Sequence, residues 1–332
     1  MKLLVTLCAT LIVAPCLANA GDLTIKQHIT STGFMGMGGF EDDPTEMFAG
    51  DAMKHRRESN MKFTGGVMGM LAGGPKSSVT IDRLDKGLVW TLDVPAKEYK
   101  EETFEERAKQ MKKGMDQMKG SDEKQSKAKI TFEIKKPGKT ETVCGHACDA
   151  TDILMHYIAD STKPSDEVMD MTFELFLCKD CSAGIRREYE LNYAKALGLD
   201  YAALKSMAGG MGAMQFGKLM GAAFAQSDKL EGAPLKTVMT MNHSGVQAEA
   251  MKKQAAEKAN EPEPEAPSLG GIVGGMFGVP MPKREAKPAA KRSDKVAEDP
   301  TLMFTMTTTT TSISFDGVAA TSFEIPAGFS KK

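Results

Sequence analysis

Four cysteines beyond the N-terminal segment carry the sharpest chemistry in this chain. They come as Cys144-x3-Cys148 and Cys178-x2-Cys181, with His146 inside the first pair. Four thiolates at such spacings could hold zinc, with His146 as an alternative ligand. Disulfides are the other use of an even cysteine set in an exported chain, and three connectivities are open. Both pairs fall at the ends of strands expected to be neighbours. The expected bond therefore joins one of Cys144 and Cys148 to one of Cys178 and Cys181. Closing such a loop of about 30 residues contributes about 3–4 kcal/mol. Cys178-Lys179-Asp180-Cys181 also has the form of a redox dithiol, but it lacks the strand-to-helix setting of thioredoxin-like sites.

Methionine is the second chemical signal, with 25 in 332 residues. Clusters occur at Met35-x-Met37, Met68-x-Met70, Met207 to Met220 and Met239-x-Met241. Thioethers are soft ligands that select Cu(I), and they also make flexible, polarizable apolar surfaces. Most of these methionines sit beside glycine in apolar stretches, which favours packing or ligand lining. The candidates for lining an apolar ligand site are Met111, Met115 and Met118, spaced to share one helical face, together with Met207, Met211, Met214, Phe216, Met220, Phe224 and the single tryptophan, Trp90.

Catalytic constellations are not legible. The five histidines are scattered, without the spacing of a helical metalloprotease motif, and no Gly-x-Ser-x-Gly elbow occurs. Gly209-Gly210-Met211-Gly212 lacks the lysine and the preceding strand of a phosphate loop. The expectation is a non-enzyme with no cofactor and no assigned metal.

Residues 1–20 read as a secretory signal peptide. Lys2 supplies the charge, Leu3 to Val13 the apolar run, and Ala18-Asn19-Ala20 the small-x-small cleavage site. That run is too short to span a bilayer, and no later segment is apolar enough. Pro15 stands where lipoprotein cleavage before Cys16 would need a small residue. The expectation is a periplasmic or secreted protein cut after Ala20. A formal net charge of −2 is near balance and argues against nucleic-acid binding, for which a basic face is expected.

Strand signals come first along the chain. Leu23 to Thr30 and Lys54 to Phe63 read as strands, separated by a Gly- and Met-rich loop over 32–50, and Gly65 to Gly74 reads as a second such loop. Val79 to Leu84 and Leu88 to Val94 form a hairpin about Asp85-Lys86-Gly87. Glu101 to Lys129, rich in Glu and Lys, reads as a helix. Strands follow around Ile130 to Ile134, before Cys144, at Ile153 to Ile158 and at Met171 to Leu177. Ile185 to Leu197 has helical spacing and stops at Gly198. Tyr201 to Phe224 reads as a further helical region and Leu235 to Met241 as a strand. Residues 251–300, with repeated Pro, Glu, Lys and Ala, read as a disordered insertion. Leu302 to Phe315 and Ser322 to Phe329 read as the final strands.

Strands, then inserted helices, then strands again argue against a parallel α/β sheet. The expected fold class is α+β: a strongly curved antiparallel sheet, or half-open β-barrel, with helices on its concave side. Residues 21–250 and 301–332 would form one domain around the 251–300 insertion.

Several of these residues together are similar to a known group. They are the basic strand Met53-Lys54-His55-Arg56-Arg57-Glu58, the hairpin with Val89-Trp90-Thr91-Leu92-Asp93 followed by Tyr99, Gly145-His146-Ala147-Cys148, Phe176-Leu177-Cys178-Lys179-Asp180, and the closing Phe323-Glu324-Ile325-Pro326-Ala327-Gly328-Phe329. The chain resembles exported bacterial proteins related to the LolA/LppX lipoprotein-carrier superfamily. The resemblance covers most of the chain beyond the signal, apart from the insertion. It implies a half-open barrel closed by helices over an apolar cavity that takes acyl chains or lipidated partners.

The leading functional expectation is a periplasmic binding protein for an apolar or lipid-like ligand or a lipidated partner. Two alternatives stand beside it: a copper-type metal-handling protein of the envelope using Met clusters and Cys/His, and an interaction protein acting on an envelope partner through the insertion.

Overall fold

The computed structural model describes residues 21–32, 38–65, 74–119, 129–158, 168–179, 181, 184–199, 230–260 and 299–332. Among these residues, fourteen strands make one sheet. They are β1 (Leu23–Thr32), β2 (Gly39–Asp42), β3 (Thr45–Phe48), β4 (Lys54–Thr64), β5 (Lys76–Arg83), β6 (Leu88–Asp93), β7 (Glu98–Thr103), β8 (Lys129–Lys135), β9 (Thr140–Val143), β10 (His146–Ile158), β11 (Val168–Cys178), β12 (Ala233–Ser244), β13 (Leu302–Ser314) and β14 (Ser330–Lys331). The described helices are α1 (Phe104–Lys119), α2 (Gly184–Ala196), α3 (Gly245–Asn260) and a 3-10 turn over Ala320–Phe323.

The spatial order is β14-β7-β6-β5-β4-β2-β1-β13-β12-β11-β10-β8, with β3 pairing β1 and β4, and β9 pairing β10. Every pairing is antiparallel except the short β14–β7 contact. Among the described residues β8 and β14 end the sheet without pairing to each other, so it is open rather than a closed barrel. β13 lies between β1 and β12, which makes the C-terminal part integral to the sheet.

Local chemistry accounts for the element ends. Helix α1 opens on a capping box: Thr103 Oγ1 accepts from the Glu106 amide at 3.1 Å, and Glu106 Oε2 accepts from the Thr103 amide at 2.8 Å. The strand β7 runs up to that cap, so the helix begins at Phe104 and not at Glu101. Helix α2 ends in a Schellman turn. Leu199 N donates to Ala194 O and Gly198 N to Lys195 O, with Gly198 at φ 66°.

Three expectations are corrected. The stretch 32–50 contains β2 and β3, whose short length and Gly/Met content hid them. Helix α3 carries regular structure through 251–260, because its alanines, lysines and glutamates are good helix formers. The rest of the expected insertion, 261–298, lies outside the described residues, as does 201–224. Ser322 to Phe329 is not a strand: it is the 3-10 turn followed by coil, and only Ser330–Lys331 pairs with β7. Alternation marks an extended or one-sided chain, and Phe323, Ile325 and Phe329 all turn toward the same cluster without joining a ladder. No helix of the described residues is long and apolar enough to cross a membrane.

Candidate functional site

Directly paired residues of an antiparallel ladder share a face of the sheet. The register therefore shows which side chains assemble. One row crosses Phe132, Met155, Met171, Met241 and Phe304 on β8, β10, β11, β12 and β13. The next crosses Ile134, Ile153, Phe173, Met239 and Met306 and continues through Ser31, Phe40 and Phe63 on β1, β2 and β4. Ile153, Met155, Met169, Met171, Phe173, Leu175, Leu177, Met239, Met241 and Phe304 form the largest cluster, with Met303, Met306 and Leu230 packed against it. The alternate residues of β11 and β13 that face the other way are Asp170, Thr172, Glu174 and a run of threonines. The two faces thus differ sharply in chemistry.

The same face carries helices α1 and α2 further along the sheet. Leu23, one pleat repeat from Ile25 and on the side of Ser31, starts a row through Phe48, His55, Asp82, Val89 and Glu102. Tyr189 of α2 packs against Leu23, Ile25 and Phe48, and Phe104 of α1 packs against Val89 and Leu197.

A buried polar cluster locks α2 there. Asp82 accepts from the Tyr189 hydroxyl at 2.7 Å and lies 3.1 Å from His55 Nδ1, while Arg107 approaches its other oxygen at 3.7 Å. Arg107 also donates to Tyr193 Oη at 3.0 Å and to Glu102 at 3.1 Å. The His55 ring stacks on Phe48 at 4.6 Å. Glu46 sits beside them, paired with Arg57 at 3.0 Å and Arg186 at 3.7 Å. Burial alone pushes the Glu46 carboxyl up, but Arg186, His55 and Arg57 outweigh it and hold it below the usual carboxylate range. Burial, then the neighbouring Asp82, pushes the Tyr189 phenol well above its ordinary value, so it remains a donor. His55 is 8% exposed and Asp82 5%. The arrangement acts as a hydrogen-bonded rivet between helix and sheet.

The expected ligand-lining residues divide. Met111 packs against Val89, Phe104 and Leu197. Met115 and Met118 belong to α1, but their side chains lie outside the described residues, as do Met207, Met211, Met214, Phe216, Met220 and Phe224 altogether. Trp90 turns to the opposite face, since it alternates with Val89, and packs with Ile81, Leu92 and Phe323. Of the expected methionine clusters, Met239 and Met241 enter the rows, while Met35, Met37, Met68 and Met70 lie outside the described residues. Met155, Met169, Met171, Met303 and Met306 were not singled out in the sequence. The signal for most of them was period-two alternation on β10 and β11. The polar cluster left no such signal, because its members are 27 and 107 residues apart.

The cysteines converge as expected but bond differently. The structure joins Cys178 to Cys181, with Cα atoms 5.5 Å apart, and leaves Cys144 and Cys148 as thiols. Extending the Asp149↔Leu177 register places Cys148 directly across from Cys178. Yet the Cys148 thiol is directed to the carbonyl of His146 in its own hairpin at 3.5 Å, while the chain after Cys178 brings Cys181 back within bonding reach. Alkylation in denaturant without reductant is expected to label Cys144 and Cys148 only, with one Cys178–Cys181 link in the peptide map. Four labelled thiols, or a link from Cys148 to Cys178, would overturn this pairing.

No family model matches the chain, and no curated sequence matches it. Among solved structures it is similar to the crystal structure of a domain from Vibrio parahaemolyticus assigned to outer membrane lipoprotein sorting. The match has 6% identity and a TM-score of 0.26, covering 92% of this chain and 89% of that one.

Proposed function

We propose that this protein is a non-catalytic binding protein of the cell envelope that holds an acyl-chain-like ligand, free or attached to a partner. One observation carries the reading: methionine, phenylalanine and isoleucine assemble in continuous cross-strand rows on the helix-bearing face of an open sheet. We take the sheet to curve around this face, with the helices as its cover.

The physical case rests on the choice of side chain. A face meant only for packing favours Leu, Ile and Val, whose stiff shapes define one arrangement. Methionine has three rotatable bonds and a polarizable sulfur, so a methionine-lined interior can repack around a chain of varying length. Each methylene removed from water contributes about 0.8 kcal/mol, so even part of an acyl chain gives useful affinity without any polar contact. The export segment read at residues 1–20 sets the compartment in which such a ligand would be met.

Two measurements test this. Native mass spectrometry of protein isolated from its own envelope should show adducts of lipid mass. A fluorescent fatty acid should bind the purified protein, and Met306→Lys, at a partly buried row position, should weaken that binding by about tenfold or more with the circular dichroism unchanged. No co-purified lipid together with no uptake of the probe would sink the proposal.

A further inference from the structure

The cysteine cluster lies on the other face of β10 and β11 from the methionine rows, because Ala150 and Phe176 alternate with the row residues. Val143, Cys148, Ala150, Phe176, Cys178 and Leu235 form its buried part, and Cys144 and Cys181 pack against it. A ring nitrogen of His146 and the sulfurs of Cys178 and Cys181 all lie within 4.8 Å of one another. His146 and Cys181 are partly exposed, so the donors are reachable from solvent, while Cys178 is buried.

A second observation points to the same place. Cys144 and Gly145 form the two-residue turn between β9 and β10, at φ 52° and 81°. Glycine, asparagine or aspartate normally takes the first position of such a turn, and a cysteine there holds a disfavoured backbone. That conformation sets the Cys144 side chain at the tip of the hairpin. It stands two residues before His146 and packs on the same cluster as Cys178 and Cys181.

We propose that reduction of the Cys178–Cys181 disulfide converts this cluster into a zinc site with His146, Cys178, Cys181 and Cys144 as its four donors. Tetrahedral zinc with Zn–S of about 2.3 Å and Zn–N of about 2.0 Å needs donor atoms about 3.5–3.8 Å apart. His146, Cys178 and Cys181 already fall inside an envelope of 4.8 Å, so these three close on an ion by side-chain rotation; Cys144 lies outside that group, packs against the same cluster and must swing in from the turn. Cys148 is excluded, because it is fully buried and turned toward the His146 carbonyl.

The disulfide and the ion exclude each other. A dithiol reductant gives two hydrogen atoms to the disulfide, yielding the Cys178 and Cys181 thiols and its own cyclic disulfide. Zinc then binds as the three cysteine thiols lose their protons, and neutral His146 donates a ring nitrogen. A disulfide oxidant reverses the sequence: it takes two electrons from the Cys178 and Cys181 thiolates, re-forms their bond, and the ion leaves. The cluster is thereby a redox-gated store for zinc, independent of any ligand on the opposite face.

The full chain beyond the signal, reduced with a phosphine and desalted without oxygen, is titrated with zinc against a chromophoric chelator. The unreduced protein is titrated in parallel. The expected result is one zinc per reduced chain and none per unreduced chain. His146→Ala and Cys181→Ser should each weaken retention about 100-fold or more, and Cys144→Ser about tenfold or more. Cys148→Ser should retain the ion. Circular dichroism identifies any variant that fails to fold. Failure of the reduced wild-type chain to retain zinc overturns the proposal, as does retention unaffected by His146→Ala and Cys181→Ser.

Discussion

Asp82→Ala is expected to lower the unfolding free energy by about 3–5 kcal/mol, measured by urea denaturation. Removing one partner from a buried charged cluster leaves the others without compensation. Asp82 is the shared acceptor of that cluster: Tyr189 donates to it, His55 lies against it and Arg107 neutralises it. Tyr189→Phe removes one hydrogen bond to a charged group and should cost less, about 1.5–3 kcal/mol. The ordering of the two variants separates a hub from an ordinary contact. A loss below about 1 kcal/mol for Asp82→Ala would show that the cluster does not hold helix α2 to the sheet.

Phe323→Ala is the second large effect, expected at about 3–5 kcal/mol. Phe323 is 2% exposed and wedges against Ile81, Trp90 and Leu92 on the face away from the helices. Backbone and charge hold it there. Arg83 donates to the Phe323 carbonyl at 3.2 Å and to the Glu324 carboxylate, while it grips Asp85 in a two-point pair at 2.8 and 2.7 Å. Arg56 donates to the Ser322 carbonyl at 2.9 Å. The Arg83 guanidinium is raised further by its hydrogen bonds to Asp85 and Glu324, against the effect of burial, so it stays charged at any pH the fold meets. Since Trp90 is the only tryptophan, its emission reports this site directly. Opening the packing should shift folded-state emission to the red. Unchanged emission with little change in stability would mean that the C-terminal segment is not docked on Trp90.

The two variants act on opposite faces of the same strands. Val89 and Asp82 point to α1 and α2, whereas Trp90 and Ile81 point to the C-terminal segment. Strands β5 and β6 are therefore covered on both sides, and consecutive residues are buried there: Ile81, Asp82 and Arg83 on β5, Val89 and Trp90 on β6. At the other end of the sheet, β11 and β13 keep a polar outer face. Phe176 and Cys178 are exceptions on β11, and the side chains of Lys139 and Lys236 roof Phe176, each ammonium 4.9 Å from the ring centroid.

What the sequence determined by itself was the part governed by near neighbours. The Val79–Leu84 and Leu88–Val94 hairpin, the alternation of Ile130 to Ile134 and Met171 to Leu177, and the stop of α2 at Gly198 follow from side-chain direction and backbone freedom within a few residues. So does the sense that cysteines and methionines matter here. The tertiary structure alone decided which of these met. Register across β8, β10, β11, β12 and β13 turned scattered methionines into rows. The rivet of Asp82, His55 and Tyr189, the local Cys178–Cys181 bond and the docked, unpaired Phe323 segment rest on contacts between residues whose approach no local preference encodes. An alternating pattern states that a chain is extended and one-sided; only the partner that fills the other side decides whether it becomes a strand.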